Sequence, residues 1–127
     1  MTPMKATLSN HHQSPRKVRL VADLIRGKSV ADARRALTFM PKYAALPMKK
    51  LLDSAVSNAR QGGASAEDLL VKTVTVNKGL VAKRGRPFAR GRSGVIRKTM
   101  SHISIELARS IAPAKKARAT KATAPSV

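Results

Sequence analysis

The chain contains no cysteine and no tryptophan, and its aromatic residues are Phe39, Tyr43 and Phe88 alone. Without cysteine there is no disulfide scaffold, no thiolate-held zinc and no thiol nucleophile. With so few rings there is no platform on which successive bases could stack. Acids are scarce too. Asp23, Asp32, Asp53, Glu67, Asp68 and Glu106 stand against 26 lysines and arginines, a formal charge of +20 over 127 residues. The six are scattered, and no pair is spaced for acid–base work. Neither a phosphate-binding glycine loop nor a nucleophile-elbow motif occurs, so the sequence predicts no enzyme and no cofactor. Adjacent His11 and His12 are expected to be solvated in a loop, with no metal site. No apolar run approaches the roughly 18 residues of a membrane-crossing helix, and the opening Met1-Thr2-Pro3-Met4-Lys5 lacks the apolar core of a signal peptide. No membrane association and no homo-oligomer are expected.

What is present is a foldable chain with an excess of one charge. The apolar fraction, 43%, is that of a folded protein. A compact domain this basic repels itself, so it belongs against a polyanion, and with no membrane segment that polyanion is nucleic acid. Residues 2–10 alternate with period two and read as an edge strand. From Ser14 the period becomes helical. Ser14-Pro15 predicts a start at which the serine caps a free N–H and the proline loses none. Val18, Val21, Leu24 and Ile25 form the apolar face, and Gly27 supplies the left-handed stop. Ser29 and Asp32 have capping-box spacing for a short second helix carrying Val30, Ala33 and Leu37, ending before Pro41. Met48, Leu52, Ala55, Val56 and Ala59 mark a third helix, with Pro47 predicting a kink or a start there, and Gln61-Gly62-Gly63 closes it. After a linker at 62–68, Val74 and Val76 alternate with Thr73, Thr75 and Asn77. Ile103, Ile105 and Leu107 later alternate with His102, Ser104 and Glu106. The predicted core comprises Val18, Val21, Leu24, Ile25, Leu37, Leu52, Val56, Val74, Val76, Ile103 and Ile105.

Between those strands, 78–101 carries Lys78, Lys83, Arg84, Arg86, Arg90, Arg92, Arg97 and Lys98 and no acid. Two strands flanking such a segment predict one long hairpin reaching out from the body, ordered by a polyanionic partner. Its glycines admit close backbone approach and its arginines suit phosphates. A second basic strip runs along the first helix: Arg16, Lys17, Arg19, Arg26 and Lys28. Cations in a first helical turn oppose the helix dipole, so their presence there points to an external anion. Residues 112–127, rich in Ala, Lys, Pro, Thr and Ser, read as a low-complexity tail beyond a single domain at 1–111. Lys83-Arg84-Gly85-Arg86-Pro87 resembles the core of an AT-hook, which lies in the minor groove of A·T-rich DNA. With the basic tail it supplies the alternative reading, a nucleoid-type DNA-binding protein.

A longer match bears on the choice. Ser14 through Lys28, SPRKVRLVADLIRGK, resembles the first helix of the bacterial large-subunit ribosomal protein twenty-two family, the universal proteins whose hairpin lines the nascent-peptide exit tunnel. Ser54-Ala55-Val56-Ser57-Asn58-Ala59 resembles its third helix, with Pro47 where many members have proline. Lys83-Arg84, Pro87, Ala89 and Gly91-Arg92 resemble its hairpin, and Ser101-His102-Ile103 its return strand. The likeness runs from about Met4 to Leu107.

The resemblance implies an α+β fold: three helices packed on a small three-stranded antiparallel sheet, with a long extended hairpin. It implies binding to large-subunit ribosomal RNA early in assembly, beside neighbouring ribosomal proteins, in the cytoplasm or in an organelle. The RNA-binding residues it implies, together with the basic pattern, are Ser14, Arg16, Lys17, Arg19, Arg26, Lys28, Lys83, Arg84, Arg86, Arg90, Arg92, Arg97, Lys98 and His102. The tip, Arg86, Pro87, Phe88, Ala89, Arg90, Gly91 and Arg92, would face the tunnel and its nascent peptide, where the family can influence macrolide sensitivity and stalling. The tip also departs from the family. Gly85 and Arg86 replace large apolar residues, Phe88 replaces an arginine, and Gly94, Val95 and Met100 are atypical.

Overall fold

A computed structural model describes residues 4–109. The predicted tail at 112–127, and the domain boundary before it, lie outside the described residues. Strand β1 (Lys5–His11) leads to helices α1 (Pro15–Ile25), α2 (Val30–Phe39) and α3 (Ala45–Gln61). Two long strands follow, β2 (Leu69–Pro87) and β3 (Ser93–Arg109), separated by a 3-10 turn at Ala89–Gly91. The sheet order is β1-β3-β2, antiparallel throughout. The fold is α+β, three helices and a three-stranded sheet with a long β2/β3 hairpin.

Each helix buries one stripe. In α1 it is Val18, Val21, Ala22 and Ile25; in α3 it is Met48, Leu51, Leu52, Ala55, Val56 and Ala59. These spacings of three and four residues place the side chains on one face. Ile103, Ile105 and Leu107 of the central strand complete the core from below. The opposite sheet face is polar: Thr7 and Ser104, directly opposite in register, share a hydroxyl hydrogen bond of 2.8 Å.

Local expectations hold in part. Gly27 has φ +74° and Ser29 Oγ accepts the Asp32 N–H at 3.1 Å. Aspartate is too short to reach back to the Ser29 N–H as a glutamate would, and its carboxylate takes the Ser29 hydroxyl instead, at 2.8 Å. Pro47 neither kinks nor begins α3. It is the third residue of the helix, within the first turn, where an N–H would have no helical partner anyway. Leu24 is half-buried, on the flank of the α1 stripe. The strand before Val74 starts earlier than its alternation suggests. Leu69 and Val71 are buried as well, and a register shift between Val71 and Thr73 changes the phase. His11 is buried at 9% exposure, its ring stacked on Tyr43 at 6.0 Å between centroids, so it is not a solvated loop residue.

Ser101 is fully buried in β3, and its hydroxyl has no hydrogen-bond partner. An unpaired buried hydroxyl costs stability. Ser101→Ala should therefore leave the thermal midpoint unchanged or raise it; a clear fall would show that the hydroxyl is satisfied in solution.

Candidate nucleic-acid interface

Ion pairing divides the molecule. Among the described residues the salt bridges are Lys5–Glu106, Arg26–Asp23, Arg34–Asp53 and Arg35–Asp32, all in the body. The arm beyond Lys78 and Ser101 has none. Lys83, Arg84, Arg86, Arg90, Arg92, Arg97 and Lys98 are all exposed there. The arm is a paired ribbon out to Pro87↔Ser93. Nine steps from Lys78 to Pro87, at about 3.3 Å each, take it roughly 30 Å from its root. The AT-hook-like stretch is inside this ladder, with Arg84 opposite Ile96, Gly85 opposite Val95 and Arg86 opposite Gly94.

The fold brings the two basic stretches together. A cleft of about 560 Å³ is lined by His12, Gln13, Ser14 and Lys17 on one side and by Arg97, Lys98, Thr99 and Met100 on the other. The start of α1 thus faces the root of the arm. Ser14 does not cap α1 with its side chain. Its backbone carbonyl accepts the N–H groups of Lys17, at 3.1 Å, and Val18, at 3.3 Å. That leaves the Ser14 hydroxyl without the predicted capping role. His12, Gln13, Thr99 and Met100 were not legible as lining residues, because their proximity arises from the β3 return strand and no local motif encodes it. Arg16 and Lys28 are exposed outside this cleft.

Arg19 and Arg26 are exposed as well, and each also reaches back to the sheet. Arg19 donates to the Val76 carbonyl through Nε at 3.3 Å and Nη2 at 3.1 Å, and Arg26 donates to the Val74 carbonyl at 3.0 Å. Those carbonyls lie on the outer edge of β2, which no strand covers. The same edge is paired further back, where Val71 exchanges hydrogen bonds with Gly27 (3.0 Å) and Lys28 (2.9 Å). The two arginines therefore tie α1 to the sheet and shield an otherwise open edge. A hydrogen bond from a charged donor contributes about 1.5–3 kcal/mol, less where it is solvent-screened, so Arg19→Ala and Arg26→Ala should each cost about 1–2 kcal/mol in a denaturant melt. Values near zero for both would mean the contacts do not hold α1.

His102 is at the root of the arm. Its Nδ1 accepts the Asn10 N–H at 3.2 Å, and Asn10 adopts φ 55° at the β1 irregularity. The other side of the ring covers Gly79, where a Cβ would lie 2.9 Å from Nε2. Gly79 is within the register shift between Lys78 and Val81. Phe88 begins the tip loop, and its ring covers Gly94.

The body pairs four of its six acids in salt bridges and projects a cationic ribbon that has none among the described residues, the charge distribution of a polyanion-binding class of protein. Residues 6–108 match the family model described as Ribosomal protein L22p/L17e, and the chain belongs to that family. It is 50% identical over 105 residues to the large ribosomal subunit protein uL22 of Geobacter metallireducens, covering 82% of this chain and 96% of that one. The uL22 of Citrifermentans bemidjiense is 51% identical over 104 residues, 81% and 94% of the two chains. That of Deinococcus deserti is 49% identical over 105 residues, 82% and 76%. The family makes the chain a structural constituent of the large ribosomal subunit, of bacterial type.

Proposed function

We propose that the chain binds large-subunit ribosomal RNA at two connected places and aids its assembly in the cytoplasm. The cleft between the α1 start and the arm root takes phosphates through Ser14, Lys17, Arg97 and Lys98, flanked by Arg16 and Lys28. The arm then threads between RNA segments through Lys83, Arg84, Arg86, Arg90 and Arg92. Its tip, Arg86 to Arg92, forms part of the exit-tunnel wall and meets the nascent peptide there. Arg19, Arg26 and His102 support this surface from behind, and their remaining donors can still reach RNA. Neighbouring ribosomal proteins complete the surroundings.

The observation that carries this reading is the acid-free arm, whose exposed cations have no carboxylate partner among the described residues. A surface of that kind binds through phosphate neutralisation and RNA shape, since A-form helices hide their major-groove edges. The AT-hook half of the alternative DNA reading is disfavoured, because an AT-hook is free chain and Lys83–Pro87 is a paired strand.

Three measurements test the proposal. The protein should co-sediment with large ribosomal subunits in high salt and prefer ribosomal RNA to A·T-rich duplex in direct competition. Preferred, tight duplex-DNA binding would overturn it. Changing Arg16 and Lys17 to Ala leaves the α1 anchors untouched and should lower the salt slope of RNA binding by up to about 2, at roughly 0.9 per phosphate contact in duplex DNA. An unchanged slope would remove the α1 start from the interface.

A further inference from the structure

We propose that Phe88 is a positioning residue: with Arg86 and Gly94 it forms a cross-strand clasp that holds Arg90 at the apex of the arm, and it does not stack on a nucleobase. The inference deepens the RNA-facing reading of the arm, though the clasp itself is a property of the free chain.

Three observations carry it. First, the Phe88 ring fills the space of a missing side chain. A Cβ at Gly94 would lie 3.0 Å from Phe88 Cζ and 3.1 Å from Cδ2, with Cε2 closer still. Phe88 directly follows β2 and Gly94 is the second residue of β3, so the contact ties the two sides of the hairpin diagonally beyond their last pairs, Arg86↔Gly94 and Pro87↔Ser93. An aromatic ring laid over a cross-strand glycine is a known way to stabilise a weak ladder position. Second, Arg86, two residues before Phe88 in extended chain, places its guanidinium 5.9 Å from the ring centroid. That is within the range of a cation–π contact, and it holds a cation that the neighbouring charges of the arm would otherwise repel. Third, the loop that Phe88 begins is unfavourable in isolation. Phe88 N–H donates to the Arg92 carbonyl at 2.7 Å, closing residues 88–92. Inside that closure Arg90 has φ 60° and ψ 37°, followed by Gly91 at φ 69°. Two consecutive left-handed residues, the first an arginine, need support from their surroundings. The body is too distant to give it, and the 88–94 clasp is adjacent.

The ring is 57% exposed, so an open π face remains, and base stacking is the competing role. The two roles predict opposite patterns for two variants. Gly94→Ala expels the ring but keeps it; Phe88→Leu removes it. In NMR spectra of the full chain without RNA, the clasp predicts Gly94 α-protons moved upfield by the ring current. Phe88→Leu should abolish that shift, and both variants should move the Arg90 and Gly91 amide resonances. Ordinary Gly94 shifts in the wild type, or unmoved Arg90 and Gly91 resonances in both variants, would overturn the clasp. With total large-subunit ribosomal RNA as the probe, the clasp predicts that the two variants behave alike, within about twofold of each other, with unchanged salt slopes because no charge is lost. A loss of tenfold or more in Phe88→Leu, with Gly94→Ala binding as well as the wild type, would assign the ring to a base and overturn the proposal. If wild-type protein shows no preference for ribosomal RNA, the RNA reading fails while the spectroscopic result stands by itself.

Discussion

Deleting residues 80–97 should leave a body that still melts cooperatively and has lost most of its salt-sensitive affinity for ribosomal RNA. Every buried apolar residue lies outside the deletion, between Ala6 and Val76 or between Ile103 and Leu107. The pair Lys78↔Ser101 would remain, joined by Gly79, Lys98, Thr99 and Met100, a four-residue connection of ordinary hairpin length. The deletion removes Lys83, Arg84, Arg86, Arg90, Arg92 and Arg97. If each meets a phosphate, the slope of log affinity against log salt should fall by about 5, taking roughly 0.9 per contact as in duplex DNA. A thermal melt and a salt titration read the two halves of this prediction separately. Loss of the cooperative melt would make the arm part of the core. An unchanged slope would mean that the arm does not lie on RNA.

Ile105→Ala should cost more stability than Arg19→Ala or Arg26→Ala, while Val95→Ala in the same strand should be nearly silent. Ile105 is 0% exposed on the central strand, opposite Ala6 on β1 and Val74 on β2. With strands paired on both sides of it, truncating this fully buried side chain should cost about 2–5 kcal/mol. Against a domain stability of about 5–15 kcal/mol, that lowers the midpoint by about 10 °C or more. Val95 is 67% exposed on the arm, and its truncation should stay within about 0.5 kcal/mol. Equal losses at both positions would contradict the division into body and arm.

The contrast between those two valine and isoleucine positions also shows what the sequence made legible. Alternation found β3 because Ile103, Ile105 and Leu107 answer to one face of one sheet, and the spacing of Val18, Val21 and Ile25 found α1 for the corresponding reason. Gly27 and Pro41 delimit helices through backbone properties that belong to the residue itself. What could not be read depends on partners distant in the chain. Arg19 and Arg26 read as a cationic strip, and their second role, holding the uncovered edge of β2 some fifty residues later, has no local signal. His11 looks solvated until Tyr43 stacks on it. The cleft joining Ser14 and Lys17 to Arg97 and Lys98 exists because β3 returns past the start of α1. The arm's charge was legible, and so was its hairpin form. The clasp at its tip was not, since a phenylalanine and a glycine six residues apart have no meaning until the register pairs Arg86 with Gly94.

The packing of His102 over Gly79 bears on how a distant point is aimed. The arm is a lever about 30 Å long, so a tilt of about 10° at its root would carry the tip about 5 Å sideways, more than the spacing between two strands. The register shift at Lys78 and Val81 is where such a tilt would arise. There the His102 ring is held by the Asn10 N–H on one side and seated on Gly79 on the other. Any side chain at position 79 would lift the ring and redirect the ribbon. The direction in which the arm carries Arg90 is thus decided at its opposite end, by a glycine whose neighbour is the His102 ring.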